Sequence, residues 1–66
     1  MTRYHIFRVW RGNPSDARWV EAVDAASAVE AEQIYPEETN HYHEAREDDA
    51  ARQGMTYSER LAAGLE

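Results

Sequence analysis

The stretch RYHIFRVWR, residues 3–11, decides how the rest of the chain is read. It alternates, and it is rich in aromatic and β-branched side chains, which is the pattern of a strand. GNPSD (12–16) is a run of turn formers, in which Pro14 sets its own φ and Asp16 can bond nearby amides. ARWVEAVDA (17–25) then reads as the returning strand, so a hairpin is expected over residues 3–25. Side-chain chemistry suggests its register. Setting Trp10 opposite Trp19, Arg8 opposite Glu21 and Ile6 opposite Val23 unites aromatic and ionic pairs, each adding about 0.2–1 kcal/mol across strands. The other face then holds Val9 with Val20 and Phe7 with Ala22. Sliding the strands until Ile6 meets Glu21 is the poorer arrangement. A two-stranded ribbon is not stable alone. One face is therefore expected to be covered within the chain, while Ile6, Trp10, Trp19 and Val23 form a candidate homodimer or oligomer face.

Downstream, SAVE (27–30) is a capping-box pattern, with Ser27 as cap and Glu30 reaching back. It predicts a helix over 28–35 with Ala28, Ala31, Ile34 and Tyr35 on one side. Pro36 ends it, because the residue before a proline avoids helical backbone. The acidic segment 36–53 reads as a short strand near 40–44 and then a helix over 45–53, with Gly54 as a left-handed stop. One longer helix through the same residues remains open. TYSE (56–59) is a second capping box and opens a C-terminal helix, 57–63, closed by Gly64. Tyr57, Leu61 and Leu65 recur every four residues as a narrow apolar stripe. The expectation is one small α+β domain spanning 1–66: a hairpin packed by a short helix, a possible third strand, and one or two short C-terminal helices.

Composition narrows the function. The chain has 66 residues and no cysteine, so disulfides and thiolate metal sites are excluded and a reducing cytoplasm suits it. No leader pattern and no long apolar run is visible, so no membrane partner is expected. A core this small supplies about 3–5 kcal/mol, and natural proteins of this size recruit disulfides, metals or partners. The net charge of −6 is unevenly placed, with residues 1–26 carrying +1 and residues 27–66 carrying −7. That field repels phosphates, so Arg3, Arg8, Arg11 and Arg18 among the hairpin aromatics are read as packing and rim charges rather than as a nucleic-acid grip.

PEETNHYHEAREDD (36–49) holds six carboxylates against Arg46. His41 and His43 would project together from a strand, but a third metal ligand is not evident, and no metal or other cofactor is expected. Acid–base catalysis needs paired groups in an enclosing cleft, which so small a core does not build. An enzyme is therefore not expected. Carboxylates crowded on a thin core are either a solubilising face or the contact for a partner rich in Arg or Lys, and both readings stay open. Glu37, Glu38, Glu44, Glu47, Asp48 and Asp49 are the candidate contacts, with Tyr42 as an apolar anchor among them.

The order YHIFRVWR–GNPSD–ARWVEAVDA–SAVEAEQIY, a hairpin running into a capped alanine-rich helix, resembles small acidic phage-encoded inhibitors of the anti-CRISPR type. The resemblance covers the N-terminal half. It implies a non-enzymatic inhibitor that docks on a basic, nucleic-acid-binding surface of a partner complex by mimicry or occlusion. It carries over no individual residue. The alternative is a structural or regulatory self-association module built on the Trp10/Trp19 face.

Overall fold

A computed structural model describes all 66 residues. Strands β1 (Thr2–Trp10) and β2 (Asn13–Ala25) form the hairpin, followed by helix α1 (Ala28–Glu32) and strand β3 (His41–Arg46). Helices α2 (Asp48–Gln53) and α3 (Tyr57–Ala63) complete the chain. The sheet order is β2-β1-β3 with both pairings antiparallel. The expected α+β architecture is thus present, and the third strand is part of it.

The first strand lies in the middle, and this explains its composition. Ile6 packs with Ala25 of β2 and Ala31 of α1, flanked by Tyr4, Val23, Tyr35 and Ala45. Phe7 and Val9 point the other way and pack with Ala51 of α2, Met55, Ala63 of α3, and Leu65. Both faces are therefore covered within the chain, against the expectation of one. Side chains alternate along a strand, so a central strand covered on both faces needs apolar residues at successive positions. Ile6 and Phe7 supply them, each 0% exposed.

The register differs from the one that side-chain pairing suggested. Tyr4 lies opposite Val23 and Ile6 opposite Glu21, the arrangement judged poorer, and Arg8 faces Arg18 instead of Glu21. An irregularity between Ile6 and Phe7 then leaves Val20 extra and brings Trp19 opposite Phe7. Layer packing outweighs cross-strand pairing here. The bulge turns Trp19 toward the α2/α3 face, where it fills space beside Phe7 and Val9. The charges this register brings out of line on Arg8, Arg18 and Glu21 find other partners. Arg8 holds Glu38, Arg18 holds Asp16, and Glu21 accepts from the Tyr35 hydroxyl.

Smaller differences have local causes. The chain reverses at Arg11–Gly12, and GNPSD lies almost wholly in β2, where Asn13 accepts from the Ser15 hydroxyl at 2.6 Å. The Trp10 indole lies on Gly12; a Cβ there would stand 2.8 Å from the ring, so the exposed indole would have to shift. Ser27 caps α1 as expected, accepting from the Glu30 amide at 3.1 Å, but the helix stops at Glu32 and reaches Tyr35 only through turns. Ile34 consequently swings outward and is 57% exposed. Gly54 closes α2 at φ −103°, so it is not the left-handed stop expected. Space demands it instead, since a Cβ would lie 2.7 Å from Arg46 Nη1 and 3.0 Å from the Phe7 ring. Thr56 and Glu59 form a complete capping box and Gly64 ends α3 at φ +78°, as expected. The Tyr57/Leu61/Leu65 stripe does not act as a unit: Leu65 is buried, while Tyr57 and Leu61 face outward.

A candidate protein-binding surface around the third strand

The expected contact residues sit along β3 and just beyond its ends. Glu37 and Glu38 precede the strand, Tyr42 and Glu44 lie within it, and Glu47, Asp48 and Asp49 follow it into α2. Glu47, Asp48 and Asp49 follow the far end of β3, whereas Glu37 and Glu38 fold back beside its middle: Glu37 lines a groove with Tyr42 and His43, and the Glu38 carboxylate lies 3.9 Å from His43 Nε2.

Three of these carboxylates already have partners. Glu38 takes a fork of bonds from Arg8, at 3.2 Å from Nε and 2.6 Å from Nη2. The guanidinium's hydrogen bonds hold the Glu38 carboxyl below the usual carboxylate range, against the opposing effect of burial. Glu44 takes Arg46 at 2.8 Å, while the Arg46 guanidinium also lies 4.2 Å from the centre of the Phe7 ring. Asp48 bonds Nε2 of His5 at 3.0 Å. His5 is fully buried, its second ring nitrogen has no partner, and the indole nitrogen of Trp19 is also buried without one. Glu37, Glu47 and Asp49 remain exposed with no cation within 4 Å.

Tyr42 is not a free anchor. It packs against the Phe7/Val9 cluster, and the Arg11 guanidinium sits 5.3 Å from its ring centre. The histidines do share one side of β3, but His43 is taken up by packing. Its ring stacks on Tyr35 at 4.5 Å, and Nε2 lies 3.9 Å from Glu38. No three potential ligands come together to hold a metal ion. Tyr35 straddles the sheet, from His43 on β3 to Glu21 on β2. Burial and the carboxylate acceptor push its phenol well above the ordinary value.

The four residues of the expected oligomer face do not share a surface. Ile6 is sealed under α1, and Val23 is half-buried beside it. Trp10 is 43% exposed on that side at the hairpin tip, whereas Trp19 is turned to the opposite side by the bulge.

Two further carboxylates, beyond the expected contacts, are not buried. Glu30 and Glu32 of α1 also lack a cationic partner, and Glu32 lines a groove with Val29, Glu37 and His43. The approach of Glu32 to β3 depends on where α1 settles, which no local sequence signal gives. No helix is long and apolar enough to cross a membrane. No protein-family model matches the chain, nor does any curated protein or solved structure.

Proposed function

We propose that the protein is a non-enzymatic, acidic protein-binding inhibitor that docks on a basic, nucleic-acid-handling surface of a partner. One observation carries this reading. Arg8, Arg18, Arg46, Arg52 and Arg60 are each tied to a carboxylate of the same chain, whereas Glu30, Glu32, Glu37, Glu47 and Asp49 have no cation. The negative field is therefore left uncompensated on the outside, and the cations needed to grip phosphates are largely committed. Exposed charges of this kind add little to stability. They speed encounter with an oppositely charged surface and select against wrong partners. The resemblance to anti-CRISPR-type inhibitors points in the same direction, with the free carboxylates standing where a nucleic-acid backbone would otherwise lie.

The test is capture from a host lysate with tagged protein at low and high salt, repeated with Glu37, Glu47 and Asp49 all changed to Lys. The expected result is a salt-sensitive partner that binds the triple variant at least about tenfold more weakly, a loss of about 1.4 kcal/mol. The variant's thermal midpoint should hold or rise, because these groups repel one another in the free protein. Undiminished capture by the triple variant rejects the reading.

A further inference from the structure

The two margins of the sheet are built differently. β2, at one margin, departs from regular pairing opposite Ile6/Phe7 and again beyond Val9. Such bulges disturb the ladder and guard an edge against further strands. β3, at the other margin, pairs with β1 without a break from His41 to Arg46. The Arg11 amide donates to the Asn40 carbonyl at 2.8 Å. Bonded and non-bonded pairs alternate along an antiparallel ladder. Tyr42, Glu44 and Arg46 therefore turn their main-chain groups toward β1, and His41, His43 and Ala45 turn theirs away from it. No turn, loop or cap hydrogen bond engages those three outward residues.

Beside this edge lies the groove lined by Tyr42, His43, Val29, Glu32 and Glu37. Val29 is 62% exposed, and neither carboxylate has a cation within 4 Å. Arg11, the one arginine in the groove, lies over the Tyr42 ring. An unpaired strand edge, an exposed aliphatic side chain and two free carboxylates thus converge.

We propose that the outer edge of β3 receives an extended segment of a partner protein in which Arg or Lys alternates with small apolar residues. This rests on the acidic-contact reading above and specifies how the contact is made: main-chain bonds to His41, His43 and Ala45 supply affinity, and the flanking acids select a basic strand. A second copy of this chain is the wrong occupant. Antiparallel self-pairing about His43 would set the Glu37–Glu38 end of one copy against the Glu47–Asp49 end of the other, and opposed like charges destabilise a strand pair.

The test uses a blocked hexapeptide alternating Arg and Val, its Glu/Val counterpart, and an Arg/Val version N-methylated on alternate amides. The readout is residue-resolved amide exchange by NMR at low salt. The Arg/Val peptide should slow exchange at His41, His43 and Ala45 by about tenfold or more, as expected when open amides enter a ladder. The Glu/Val peptide should leave them unchanged. Changing Glu32 and Glu37 to Lys should remove the protection, and so should N-methylation along the pairing edge, which keeps every charge and deletes the donors. Equal binding by the N-methylated and unmethylated Arg/Val peptides, or protection at Ala17 and Ala22 of β2 instead, overturns the proposal. It also falls if the captured partner depends on Glu47 and Asp49 while the β3 amides exchange as in the free protein; the acidic reading survives that outcome.

Discussion

The two sides of the sheet bury comparable strand residues by different means. On the Phe7 side, two short helices bring Ala51, Met55, Ala63 and Leu65 onto a ring and a valine, and half-buried Trp19 and Tyr42 close the margins. On the Ile6 side, a five-residue helix contributes Ala31, and the remaining cover is the aromatic ring of Tyr35 laid across the strands. The first side is packed mainly by hydrocarbon, with the His5–Asp48 bond and the Arg46 guanidinium at its margin. The second is held down by a strap with polar ends, one on His43 and one on Glu21. A chain too short for one large core has divided it, and the thinner half substitutes hydrogen bonding for volume.

The most severe way to break this comparison is truncation at each centre. Phe7→Ala should cost about 3–5 kcal/mol and Ile6→Ala about 2–5 kcal/mol, with Phe7 the larger because it has more contacts to lose. Urea midpoints measure both. A larger loss at Ile6 would show that the strap, and not the two-helix side, carries the fold. Cap removal comes next. Thr56→Ala and Ser27→Ala should each cost about 1 kcal/mol, Thr56 more because its box is reciprocal and Ser27's is not.

The smallest effects separate the polar fastenings by pH. Glu38's carboxyl titrates lower in the folded protein than in the unfolded chain. Its contribution is therefore present at neutral pH and lost as pH falls through the carboxylate range and below. Glu38→Gln should lower the thermal midpoint at pH 7 and flatten the acid limb, and the two proteins should converge in strong acid. Tyr35 has the opposite sign: its folded value is raised, so its contribution holds below the ordinary phenol value of about 10 and fades as pH rises beyond it. Tyr35→Phe should remove that alkaline loss. Thermal midpoints scanned from acid to alkali decide both cases.

How much of this was legible in the residues follows the range of the interactions. The hairpin, the Ser27 and Thr56 caps and the Gly64 stop are signalled within a few residues and are present, although the hairpin turns at Arg11–Gly12 rather than at GNPSD and Glu30 does not reach back to Ser27. The register was not legible, because it is set by what lies above and below β1 and not by the strand beside it. Arg8 looked like a partner for Glu21 until Glu38 arrived from thirty positions away. Periodicity showed that α3 has an apolar stripe, but not that smaller Ala63 and the flanking Met55 would face inward while Tyr57 and Leu61 stayed out. The acidic segment showed its charge, whereas the folding back of Glu37 and Glu38 beside His43, with three members already engaged, required the position of β3.

The seating of Leu65 against Phe7 and Val9 bears on how the molecule is born. Pairing within the hairpin is local. The cover for its Phe7 side comes instead from Ala51, Met55, Ala63 and Leu65, far along the chain. Closing that side therefore depends on contacts of long sequence separation, the slow kind to form.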